Sequence, residues 1–101
     1  MDNLELKKYK EVLVELNKLG LNIIQNDSIS FTRIFDFNIL KYAGIDEDGV
    51  VKFNNREEFI MLLKKLMSNE ITQRNISRID NNLQRLSINA EDEFYVKFFA
   101  S

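Results

Sequence analysis

The hydrophobic repeat of this chain changes period along its length, and the order of those changes restricts the folds open to it. From about Asp2 to Leu19 the apolar residues recur at helical spacing. Leu6, Tyr9, Val12, Leu13, Leu16 and Leu19 share one stripe, while Lys7, Lys8, Glu11, Glu15 and Lys18 cover the other side. Gly20 follows where a helix stop is expected. Leu21 to Gln25 reads as a short strand, and Asn26-Asp27-Ser28 as a turn. From Ser28 the period is two. Ile29, Phe31, Phe35, Phe37 and Ile39 fall on one face, against Ser28, Ser30, Thr32, Asp36 and Asn38, with Arg33 and Ile34 breaking the alternation. Strands usually run about 5–6 residues, so this length predicts a bend, bulge or turn near Asp36. A helix over Phe31 to Tyr42 is the competing reading.

Lys41 to Phe53 reads as a hairpin. Asp46-Glu47-Asp48-Gly49 supplies its turn and Val50-Val51-Lys52-Phe53 its returning strand. Asn54 or Asn55 then caps a second helix, which carries Glu57 and Glu58 in its first turn and buries Phe59, Leu62, Leu63, Leu66 and Met67. After Ser68-Asn69 a third helix runs from about Glu70 to Leu86, with Ile76, Ile79, Leu83 and Leu86 inward. Ser87 to Ala90 ends it, and Glu93 to Ala100 reads as a final strand. Strands followed by helices suggest an α+β domain spanning residues 1–101. The expected architecture is an antiparallel sheet of three to five strands with about three helices packed on one face.

Composition narrows the chemistry. The 101 residues include no His, Cys, Pro or Trp. The commonest transition-metal ligands and every Cys or His nucleophile are therefore missing, so no metal, no cofactor and no catalytic residue is assigned. A chain of this length buries roughly 60–70% of its unfolded surface, enough for a core without disulfides. The net charge is −2, whereas nucleic-acid-binding domains are usually basic. No apolar run approaches the roughly 20 residues of a membrane span. The opening Met1-Asp2-Asn3-Leu4-Glu5 lacks the basic and apolar segments of a signal peptide, which makes the cytoplasm the expected compartment. Abundant Asn and Ile fit an A/T-rich coding sequence, as in a low-GC bacterium, its phages or its plasmids.

Several motifs have plainer readings. Asp46-x-Asp48-Gly49 resembles part of a calcium loop, but aligning Gly49 with the loop's invariant glycine puts Gly44 and Asn55 at essential carboxylate positions. It reads as a simple turn. The acidic runs Asp46-Glu47-Asp48 and Glu91-Asp92-Glu93 sit beside turn residues, where carboxylates are solvated. Arg33 should either pair with a carboxylate or leave the apolar face through a bulge. Ser68 to Gln73 invites a helix-turn-helix reading with Gln73, Arg74 and Arg78 as readers, yet the turn lacks its usual glycine.

Two features remain as candidate partner-binding sites. Arg74, Arg78 and Arg85 lie within about 40° of one another on a helix, with Asn81 beside them, and suit phosphates or carboxylates. An ordinary solvated helix face is the plainer account. The final strand has Phe94, Val96 and Phe98 on one side and Tyr95, Lys97 and Phe99 on the other. Both sides can be filled by core, or Tyr95 and Phe99 can be offered to another chain. The expected function is a small, non-enzymatic, cytoplasmic binding protein acting through protein–protein contact. Such a protein would be an adaptor, inhibitor or regulator, including a phage- or plasmid-encoded inhibitor of a host system. The alternative is a nucleic-acid-binding regulator using the arginine-bearing helix. No membrane partner is expected, and a homodimer is compatible with the sequence.

Overall fold

The structure, a computed structural model, describes residues 3–25, 28–66, 70–86 and 88–101. Its elements are α1 (Asn3–Lys18), β1 (Leu21–Gln25), β2 (Ser28–Phe35), α2 (Phe37–Tyr42), β3 (Val50–Phe53), α3 (Arg56–Leu66), α4 (Glu70–Arg85) and β4 (Phe94–Ala100). The strands form one sheet in the order β1-β2-β4-β3. β1 and β2 are antiparallel, β3 and β4 are antiparallel, and β2 and β4 are parallel. The sheet is therefore mixed, not purely antiparallel as the sequence suggested. The reason is topological. β2 and β3 run in opposite directions with a strand-wide gap between them, and whatever fills that gap must be parallel to one of its neighbours. Here the C-terminal strand fills it, reached from β3 through α3 and α4.

The long helices cover one face of the sheet. α1 lies against β1, α3 against β3, and α4 contacts both helices. Val12 and Leu16 of α1, Phe59 and Leu63 of α3, and Ile76, Ile79 and Leu83 of α4 are buried with Leu21, Ile29, Phe31, Phe35, Phe53, Phe94, Val96 and Phe98 of the sheet. The centre is aromatic. The Phe59 ring stands 5.2 Å from Phe53, 5.5 Å from Phe94 and 6.1 Å from Phe31, in the tilted and edge-on arrangements that ring quadrupoles favour.

Local chemistry explains the boundaries. Gly20 takes φ +93°, which stops α1 where the sequence placed its end. Asn55 is the cap of α3: its Oδ1 accepts from Glu58 N–H at 2.9 Å, and the Glu58 carboxylate accepts from Asn54 N–H at 2.9 Å. Asp36 likewise accepts from Asn38 N–H at 2.7 Å and starts α2. Gly44 (φ +81°) ends that helix in a Schellman motif, with Gly44 N–H donating to Lys41 C=O and Ile45 N–H to Leu40 C=O. The motif's apolar contact falls on two buried residues, Leu40 and Ile45.

Three expectations need correction. The period-two run stops at Phe35, as the expected break near Asp36 implies, but Phe37 and Ile39 then enter a helix and are exposed. The segment before the Asp46–Gly49 turn is helix and loop rather than strand, so β3 pairs with β4 and not in a hairpin. On α1, Leu4 to Glu11 are exposed, so Leu6 and Tyr9 lie beyond the core, while Val12 and Leu16 are inside it. Leu62, Leu66 and Leu86 are half-buried against the core. Arg33 is exposed where the β2–β4 register shifts, its guanidinium 4.7 Å from the Phe35 ring centre, in agreement with the bulge reading. The Asn26-Asp27 turn, Met67 and the Ser68-Asn69 break lie outside the described residues, and so does Ser87.

Candidate functional site

Sequence alternation in β4 gives the sheet two unlike faces. Phe94, Val96 and Phe98 enter the core, and their neighbours Tyr95, Lys97 and Phe99 turn to the side without long helices. Tyr95 is 42% exposed and Phe99 45%, although β4 is an interior strand of the sheet. The register assembles the rest of this face in rows: Lys52, Tyr95 and Ser28; Val50, Lys97, Ser30 and Asn22; Phe99 and Ile34. Ile24 on β1 (61% exposed) and Ile34 on β2 (63%) extend it. Ser30, the small member of the middle row, is buried.

Both lysines of these rows are engaged. Lys52 Nζ lies 3.4 Å from Glu93 Oε2. Lys97 Nζ donates to the Asp48 carbonyl, and it stands 5.7 Å from the centre of the Phe99 ring. The result is an aromatic and aliphatic surface whose two lysines are already committed. It offers anchors for another apolar surface and few contacts for a phosphate chain.

The arginine face lies on the opposite side of the molecule. Ile76, Ile79 and Leu83 turn α4 inward, which leaves Arg74, Arg78, Asn81 and Arg85 exposed on its outer side. Asn82 anchors this surface from beneath. It is buried, donates to the Arg78 carbonyl at 2.8 Å and accepts from Arg85 Nη1 at 3.4 Å. Among the described residues none of the three arginines is ion-paired with a carboxylate. The structure thus brings Tyr95 and Phe99 together, brings Arg74, Arg78, Asn81 and Arg85 together, and keeps the two groups apart. The side chain of Gln73 lies outside the described residues.

Sequence reasoning passed over Arg56. Its Nε lies 2.8 Å from Asp80 Oδ1, its Nη1 donates to the Ile88 carbonyl at 2.8 Å, and its backbone N–H donates to the Ala90 carbonyl at 3.3 Å. It ties the start of α3 to α4 and to the segment leading into β4. A signal was present: a cation in the first turn of a helix opposes the macrodipole, so a tertiary partner is needed to explain it. Ile24, Ile34 and Val50 were also missed as a group, because only the register places them beside Tyr95 and Phe99.

No protein-family model, curated protein or solved structure matches this chain.

Proposed function

We propose that this chain is a small, non-enzymatic binding protein that acts by protein–protein contact through the open face of its sheet. The observation carrying the proposal is the pair Tyr95 and Phe99, half-exposed on an interior strand with Ile34 beside Phe99 and Val50 beside Lys97. Six of the eight phenylalanines are in the core, so leaving Phe99 on a bare sheet face sets it apart. Aromatic side chains on a rigid element are the usual anchors of protein interfaces. An adaptor, inhibitor or regulator is the matching role.

The second reading, a nucleic-acid-binding regulator, draws on Arg74, Arg78 and Arg85, exposed and without carboxylate partners among the described residues. It ranks lower because the chain is net acidic. One experiment separates the two. Wild type, a Tyr95→Ala/Phe99→Ala double variant and an Arg74→Ala/Arg78→Ala/Arg85→Ala triple variant are used to capture partners from the native host, with and without nuclease. A protein retained after nuclease, lost with the aromatic pair and kept by the arginine variant is the expected result. Submicromolar binding of wild type to DNA or RNA at about 0.15 M ionic strength, lost in the arginine variant, reverses the ranking.

A further inference from the structure

β1 and β3 are the two edges of the sheet, and their outward backbone groups are treated in opposite ways. On β1, Thr32 N–H donates to the Gly20 carbonyl at 2.8 Å, and the register continues as Leu21↔Phe31, Asn22↔Ser30 and Ile23↔Ile29. Bonded and non-bonded pairs alternate in an antiparallel ladder. Asn22 therefore turns its backbone groups to β2, and Leu21 and Ile23 turn theirs outward. The register shift after Ile23 sets Gln25 opposite Ser28, two residues from Ser30, so Gln25 turns back to β2. Among the described residues the outward groups of Leu21 and Ile23 have no partner.

On β3 the same alternation, set by the bond from Phe98 N–H to the Gly49 carbonyl, turns Val50, Lys52 and Asn54 outward. Val50 N–H is met by Asp48 Oδ1 at 3.2 Å and Asn54 N–H by Glu58 Oε2 at 2.9 Å, with a lysine between them. Charged side chains of this kind keep a foreign strand off an edge. β1 has none: Leu21–Gln25 is uncharged, with Ile24 61% exposed on the open face and Ile23 half-buried on the helix side. One edge is guarded and the other is open.

What complements two outward peptide units on an apolar edge is another extended backbone. A second copy of this chain does not fit. Antiparallel pairing of two β1 strands leaves both helix layers on the same side of the joined sheet. α1 packs on β1, α3 on β3, and α4 touches both helices from between them. The three helix axes span two packing distances, about 16–20 Å, whereas β1 and β3 lie three strand spacings, about 14 Å, apart. α1 therefore stands at or beyond the β1 edge. The α1 of a copy would come within about 4.8 Å of it, one strand spacing, against the roughly 8–10 Å that packed helices need. A two-fold along the strand instead sets each N–H opposite its own equivalent and forms no bond. A strand bearing no helix on that side meets neither obstacle. We infer that the β1 edge binds an extended, largely apolar segment of a partner protein, which pairs with Leu21 and Ile23 and becomes a fifth strand. The inference rests on the protein–protein reading and gives the form of the partner segment, which continues the open face beside Ile24.

A phage-displayed library of random linear peptides, selected against the full chain, supplies the probe. The selected peptides are expected to be apolar at alternate positions and uncharged at the centre. Hydrogen exchange on the wild type then reads the edge directly. Without peptide, the Leu21 and Ile23 amides exchange fast and the Asn22 amide slowly; with a selected synthetic peptide, the first two gain protection. Ile23→Pro removes a donor that the fold does not use, and should weaken peptide binding by roughly tenfold. Ile24→Lys, at an exposed position, should weaken it without touching the core. Peptides that bind through Tyr95 and Phe99 and leave the Leu21 and Ile23 amides fast overturn the strand addition while keeping the open-face reading. A library that yields no binder overturns it as well. So does protection of those two amides in the chain alone as its concentration rises, which would make a second copy the occupant.

Discussion

Gly49 and Gly44 show how much a single residue's surroundings decide. Both have positive φ, +70° and +81°. A Cβ at Gly49 would collide with the Phe98 carbonyl oxygen, whereas nothing lies within 4 Å of one at Gly44. Gly44→Ala should therefore cost about 1 kcal/mol, the penalty of the left-handed conformation alone. Gly49→Ala should cost more than about 2 kcal/mol, because β3 must also shift away from β4. Urea unfolding of both variants checks the order, and equal costs would show that the β3–β4 contact yields easily. Arg56 makes a second residue-scale case. Its side chain is 15% exposed against 40% for Asp80, so solvent screens part of the pair. Arg56→Ala should destabilise by about 1–2 kcal/mol, mainly through the lost charge-assisted bonds to Asp80 and Ile88. Asp80→Asn, which keeps an acceptor for Arg56, should cost less.

Among elements, α3 and α1 test which parts of an amphipathic stripe are structural. Leu63 is fully buried, and Leu63→Ala should cost about 2–5 kcal/mol. A change below about half a kcal/mol would mean that the wrong face of α3 has been placed inward. The α1 stripe continues through Leu6 and Tyr9, but the core ends near Val12. Leu6→Ala should therefore stay within about 0.5 kcal/mol of wild type, while Leu16→Ala costs as much as Leu63→Ala. On β4 the same contrast runs across the sheet. Phe99→Ala should cost well under the about 3–5 kcal/mol expected of Phe98→Ala. Denaturant melts of the pair measure how far the open face contributes to stability.

The whole molecule is held by packing. It has no cysteine or histidine, and its buried residues make one core between the sheet and the helix layer. Thermal melts with and without EDTA, and with and without dithiothreitol, should superimpose. A midpoint lower by many degrees in EDTA would reveal a metal among the carboxylates. No helix among the described residues is long and apolar enough to cross a membrane. The molecule's two candidate surfaces are back to back, aromatic on the sheet and arginine-bearing on α4, so variants of one can be made without disturbing the other.

Sequence alone determined the features that depend on near neighbours. Periodicity located α1, α3, α4 and β4, glycine and asparagine chemistry marked the end of α1 and the start of α3, and spacing put Arg74, Arg78 and Arg85 on one face. These are legible because helix pitch, strand pleat and capping act over a few residues. The short α2 was harder, since six residues make less than two turns and Phe37 and Ile39 fit the preceding strand pattern equally well. Only the tertiary structure decided strand order and direction. A period-two pattern reads the same in either direction, so nothing local shows that β4 inserts between β2 and β3. That insertion is what makes the sheet mixed and sets Tyr95 and Phe99 beside Ile34 and Val50. The open face is likewise a tertiary outcome. The alternation in β4 defines two apolar sides, but which of them meets the helices depends on where α1, α3 and α4 can bury their own stripes.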